Sequence, residues 1–141
     1  MLALLALLAG CQAVPAPTPF ATDGCSLFPD RLAGGADWRN CCVTHDLAYW
    51  RGGTRDERLD ADHALEQCVA GRASRVLAGV MYAGVRLGGA PVLPTPFRWG
   101  FGWPYGRGYQ PVSPVEDAQL ALLRDAWHAD NAFPTCTAHP L

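Results

Sequence analysis

Residues 41–50 read CCVTHDLAYW, and the reading of this stretch decides the fold. On a helix, two adjacent cysteines stand four and three residues before a His-Asp pair, and Tyr49 lies one turn after His45. Neighbouring residues on a helix diverge by about 100°. Cys41 and Cys42 therefore face different partners, and so do His45 and Asp46. The helix is expected from Asp37, a suitable N-cap, to Trp50, with Arg51-Gly52-Gly53 ending it.

Working outward, TRDE at residues 54–57 places Thr54 and Glu57 at capping-box spacing and opens a second helix. It runs through Leu59, Leu65, Cys68 and Val69 to Gly71, and RVLAGVMYAGVRL at residues 75–87 is compatible with its continuation. SPVE at residues 113–116 starts a third helix, with Ser113 as N-cap and Pro114 at the first helical position. Val115, Leu122, Leu123, Ala126 and Trp127 keep helical spacing there. The segment at residues 88–111, GGAPVLPTPFRWGFGWPYGRGYQP, carries too much Gly and Pro for regular structure. Its Phe97, Trp99, Phe101, Trp103, Tyr105 and Tyr109 fit either a loop packed over the helices or an aromatic patch at a water–lipid boundary. The expected class is mainly α: an antiparallel helix pair, a further helix and a long Gly/Pro/aromatic loop.

The short connection at residues 51–53 makes the first two helices a hairpin. In a hairpin, residues at one height share an index sum. Cys41–Cys68 and Ala48–Ala61 have the same sum, and His45–Asp62 falls within a turn of it. One register would allow a Cys41–Cys68 bridge, a close approach at the alanines and a His45–Asp62 contact. A histidine bonded through one nitrogen to a buried carboxylate is held in one tautomer, and its other nitrogen can take a proton from water. Tyr49 reaches the same Asp62. Asp46, on the neighbouring sector, is placed to bind a hard cation through oxygen. The bland alternative is a structural histidine in a stapled core, with Asp62 paired to Arg55 or Arg58. A zinc site built from Cys41, Cys42, His45, His63 and Cys68 has the right atoms, but the adjacent cysteines diverge and no CxxC pair is present. His63 is expected at the surface, and His128 and His139 belong to no motif.

The 141 residues suffice for one domain. A net charge of −2 offers no field for a polyanion, so nucleic acid is not an expected partner. Residues 1–10, MLALLALLAG, are uniformly apolar, too short to cross a bilayer of about 30 Å and suited to a secretory signal. LLAGC resembles the lipobox of bacterial lipoproteins, which makes Cys11 a lipidation site, although no Lys or Arg precedes the apolar run. A plain cleaved signal and a core segment are the alternatives. Residues 11–22, rich in Pro and Ala, read as a tether, so the folded domain is expected over residues 23–141. These features place the domain in the cell envelope or secreted, where disulfides persist. Beyond Cys11 there remain Cys25, Cys41, Cys42, Cys68 and Cys136, an odd number that leaves one without a partner in the chain.

CCVTHDLAYW resembles the catalytic-helix signature CCxxHDxCY of the secreted phospholipase A2 superfamily, and DADHALEQC at residues 60–68 resembles its second helix, with Asp62 six residues before Cys68. The resemblance covers about residues 23–70. It implies a disulfide-linked antiparallel helix pair of phospholipase A2 type and calcium-dependent hydrolysis of the sn-2 acyl ester of glycerophospholipids at a membrane surface. His45 is then the general base, Asp62 its orienting acid and Tyr49 its support. Asp46 is the calcium carboxylate, with the carbonyls of Gly24, Ser26 and Phe28 as further ligands and Asp23 or Asp30 as substitutes. The implied bridges are Cys41–Cys68 and Cys25–Cys42, with Cys136 a competitor for Cys25. The family's further cysteine pair falls on Ala48 and Ala61, absent together. DGCSLFPD at residues 23–30 lacks the family's glycine run, which leaves open a non-catalytic envelope lipoprotein that keeps the fold for binding or structure.

Overall fold

Thr54 and Glu57 form the capping box that their spacing requires. The Thr54 hydroxyl accepts from the Glu57 N–H, and the Glu57 carboxylate accepts from the Thr54 N–H. This box starts α2 (Arg55–Arg72), which follows α1 (Arg39–Arg51). The computed structural model describes residues 15–33 and 35–131. The expected signal segment 1–10, Cys11 and Cys136 lie outside the described residues. Among the described residues the chain is mainly helical, with four helices, no strand beyond an isolated Arg31–Asp37 bridge, and two disulfides.

Two boundaries differ from expectation. The N-cap of α1 is Trp38, not Asp37. Trp38 is fully buried and makes no side-chain cap, while the Asp37 carboxylate accepts from the Arg39 N–H at 2.9 Å. Core packing of the indole sets the start, and Asp37 serves the first turn from one residue further out. Residues 75–88 are also not a continuation of α2. The chain breaks at Ala73, Ser74 caps Leu77 N–H, and α3 (Arg75–Gly88) folds back along α2. A single helix through residue 88 would run about 50 Å at 1.5 Å per residue, leaving its apolar half without a core.

The hairpin register is as the index sums require. Cys41–Cys68 joins α1 to α2 with its Cα atoms 5.7 Å apart, and Cys25–Cys42 ties the preceding loop to α1 at 5.0 Å. Both lie in one core with Trp38, Leu65, Val69 and Met81. Gly52, at φ 68°, ends α1 where an added Cβ would stand 2.9 Å from the Gly100 backbone.

The Gly/Pro/aromatic loop finishes α1 by satisfying its last carbonyls. Gly100 N–H donates to Tyr49 O, Gly102 N–H to Trp50 O, the Trp103 indole to Arg51 O and the Trp99 indole to Gly53 O. Helix C-termini leave such acceptors unpaired. Trp99 and Trp103 are buried, so the packing reading holds for them. Phe97 and Tyr105 stay exposed. Ser113 and Glu116 cap α4 (Pro114–Asn131) reciprocally. Leu120 of α4 joins Phe20, Trp50 and Trp103 in a second core.

Phe20 overturns the tether boundary. Residues 18–22 are part of the fold: Thr18 N–H donates to Gly102 O at 2.7 Å, and the Trp50 indole donates to Thr18 O at 2.8 Å. The Phe20 ring sits edge-on to Trp50 and Trp127, with centroids 5.6 and 4.9 Å away. A Pro/Ala-rich segment cannot build a core of its own, yet one aromatic in it completes a core that other elements provide.

Candidate active site

The hairpin places His45 and Asp62 face to face. His45 Nε2 and Asp62 Oδ1 are 2.8 Å apart, with His45 7% and Asp62 0% exposed. The Tyr49 hydroxyl, one turn along α1, donates to the same Oδ1 at 2.7 Å. A carboxylate only accepts, so Nε2 carries the proton and Nδ1 is the basic nitrogen. Among the described residues nothing bonds Nδ1, and the ring lines an open cleft of about 170 Å3 with Asp46, Leu27, Phe28, Met81 and Val85.

The other Asp62 oxygen carries a cationic shell. Arg86 of α3 donates from Nη1 to Oδ2 at 2.6 Å, and Arg58 Nε lies 3.8 Å from it. Arg58 is itself buried. It donates to the Tyr49 hydroxyl at 3.0 Å, the Tyr109 hydroxyl at 2.7 Å and the carbonyls of Val85 and Arg86. Burial pushes the Asp62 carboxyl upward, but hydrogen bonds from His45, Arg86 and Tyr49 outweigh it and hold it below its ordinary value. Asp62 is therefore a charged acceptor in the core, which only such a shell makes tolerable. Burial drives the Tyr49 phenol well above its ordinary value, so it remains a donor.

Arg58 was legible as an i,i+4 partner of Asp62, although only as a rival to the histidine. Arg86 and Tyr109 carry no such signal, because both arrive through tertiary packing.

Asp46 sits around the helix from His45, partly buried. Its Oδ2 accepts from the Thr22 hydroxyl at 2.6 Å. Burial raises its pKa to about 6 against the opposing Thr22 bond. The loop beside it is shaped by Asp30, which accepts from the Cys25 N–H and meets Arg39 at 3.5 Å. Asp23 accepts from the Ser26 hydroxyl. Both proposed substitutes are thus engaged within the loop itself. Gly24 has φ 82°, and a Cβ there would lie 2.5 Å from both Arg39 Nη1 and Asp30 Oδ1. Ser26 takes the same left-handed region, at φ 53°.

Asp46, Gly24, Ser26 and Phe28 line one cleft, and their oxygens are donors of the type a calcium ion would take. The carboxylate is partly desolvated and, among the described residues, makes no ion pair. The carbonyls of Gly24, Ser26 and Phe28 accept no hydrogen bond from any described residue, whereas the intervening Cys25 carbonyl accepts from Phe28 N–H. Hard oxygens of this kind are what calcium takes. No cluster of three or more His, Cys, Asp or Glu side chains is found among the described residues. The zinc alternative fails because Cys41, Cys42 and Cys68 are oxidised. His63 lies at the surface, stacked on Tyr82.

No family model, curated protein or solved structure matches this chain.

Proposed function

We propose that this chain is a phospholipase A2-like ester hydrolase, cutting the sn-2 acyl ester of glycerophospholipids. The observation that carries the reading is the 2.8 Å bond from His45 Nε2 to buried Asp62, with the remaining ring nitrogen on an apolar cleft. The sequence resemblance supplies the substrate class.

In this mechanism the acyl chain lies along Leu27, Phe28, Met81 and Val85, and the ester carbonyl sits near Nδ1 and Asp46. Nδ1 takes a proton from water as the water oxygen bonds to the carbonyl carbon. Asp62 stabilises the resulting imidazolium, and Tyr49 and Arg86 keep Asp62 ionised and oriented. When the tetrahedral adduct collapses, the bond to the glycerol oxygen breaks and the imidazolium returns its proton to that oxygen. The products are a fatty acid and a lysophospholipid. A calcium ion held by Asp46 and the carbonyls of Gly24, Ser26 and Phe28 would supply electrostatic stabilisation for the oxyanion.

The cellular setting belongs to the same proposal: a cell-envelope protein lipid-anchored through Cys11, or a secreted one, acting on a phospholipid surface. No helix among the described residues is long and apolar enough to cross a membrane. A non-catalytic lipoprotein has one observation in its favour, the left-handed Ser26 where the family loop has glycines.

The two readings separate in one assay. The oxidised chain is mixed with phosphatidylcholine–detergent micelles, and fatty acid release is followed with and without EGTA. Release that needs calcium and disappears in a folded His45→Gln variant is expected. Absence of release under all conditions favours the lipoprotein without catalysis, and EGTA-resistant release removes calcium from the scheme.

A further inference from the structure

The strap at residues 18–22 and the candidate cation site form one hydrogen-bonded unit. Thr22 Oγ1 donates to Asp46 Oδ2 at 2.6 Å and accepts from the Gly24 N–H at 3.0 Å. One hydroxyl thus joins the carboxylate on α1 to the first carbonyl-bearing residue of the proposed calcium loop. Among the described residues it is the only hydrogen-bond donor to Asp46, and Oδ1 is left for another partner. A hollow of about 460 Å3 is lined by Thr22, Asp23, Ser26 and Asp46 among others.

Thr22 is held from behind. Phe20, two residues earlier, is clamped by Trp50 and Trp127, and Thr18 is bonded in both directions, to Gly102 and to the Trp50 indole. Two residues of extended chain reach about 7 Å, so the Phe20 anchor restricts the hydroxyl to the neighbourhood of α1. Trp50 belongs to the helix that carries Asp46, and the strap therefore moves with the carboxylate it contacts.

We propose that Thr22 is a positioning residue of the cation site, presetting the Asp46 carboxylate and the Gly24 peptide relative to each other, with residues 18–22 as its support. The inference rests on the calcium reading above. Residues that hold a metal's carboxylate by hydrogen bonding govern affinity without touching the ion, and losing one typically weakens binding 10–100-fold. A hydroxyl that both donates and accepts can be replaced by serine but not by the isosteric valine.

The test is calcium affinity by isothermal titration calorimetry on the full oxidised chain, with thermal unfolding in EDTA as the control for folding. Thr22→Val should weaken calcium binding at least tenfold, and Thr22→Ser should stay within threefold of the unmutated chain. Thr22→Ala removes the hydroxyl without risk of overpacking and should match Thr22→Val, so a folding failure of the valine variant leaves the question answerable. Unaltered affinity in folded Thr22→Val or Thr22→Ala overturns the role of Thr22 and leaves the calcium reading standing. An unmutated chain that binds no calcium overturns both.

Discussion

Asp46→Asn should stabilise the calcium-free protein while removing its response to calcium. The carboxylate is partly buried, and its pKa rises from an ordinary 3.8 to about 6, chiefly through desolvation. A group whose pKa is raised by folding binds its proton more tightly in the folded state. Its contribution favours folding fully below about pH 4 and is lost as pH climbs through about 6. At about 1.4 kcal/mol per pH unit, the rise sets a ceiling of about 3 kcal/mol on the penalty at pH 8. Partial exposure and the amide's own desolvation reduce the expected gain to about 1–2 kcal/mol. The asparagine oxygen still accepts from Thr22, so the substitution removes charge and little else. The assay is denaturant unfolding with disulfides intact, followed by tryptophan fluorescence in EDTA at pH 4 and pH 8. The variant should match the unmutated chain at pH 4 and exceed it at pH 8. With calcium at 100 times its dissociation constant the order should reverse, since binding adds about 2.7 kcal/mol to the unmutated chain alone. A variant less stable at pH 8 without calcium, or a difference independent of pH, refutes the argument that Asp46 is an uncompensated acid awaiting a cation.

Two further outcomes test the packing around the site. Phe20→Ala should cost about 2–4 kcal/mol in the same unfolding assay, because it empties a buried slot between Trp50 and Trp127; a cost under about 0.5 kcal/mol would return residues 18–22 to the status of a tether. Arg86→Met should cost about 1–3 kcal/mol, by stripping one cation from a fully buried carboxylate. In the hydrolase assay it should lower kcat about tenfold with KM within twofold, and Arg86→Lys should recover part of the loss. An unchanged kcat would make Arg86 a purely structural partner.

The hairpin was legible because its geometry is close to arithmetic. Two helices joined by three residues have one free variable, the register, and a Cys41–Cys68 pair with matched alanines is compatible with one value of it. His45 against Asp62 and Tyr49 one turn away follow from that register, and the structure brings these side chains together at hydrogen-bond distance. Residues 75–88 and 18–22 lacked any such constraint. Periodicity assigns a face to residues 75–88 but not the residue on it that meets Asp62, and the break at Ser74 depends on α3 having α2 to fold against. Composition excluded a core built by residues 11–22 alone. It is silent on whether Phe20 adds to a core made by Trp50, Trp103 and Leu120.

Asp62 is where the legible and illegible contacts converge, and the division follows its two oxygens. Oδ1 takes the pair from α1, His45 and Tyr49, which lie four residues apart on one stripe. Oδ2 takes Arg86 from α3, with Arg58 behind it. A carboxylate gripped on both oxygens cannot rotate about its last bond without breaking a charge-assisted contact worth more than a neutral hydrogen bond. The orientation of the imidazole is therefore determined by all three of the first helices, although only two of them carry the motif. The His45–Asp62 contact needs a rigid acceptor, and the guanidinium that α3 delivers to Oδ2 provides it.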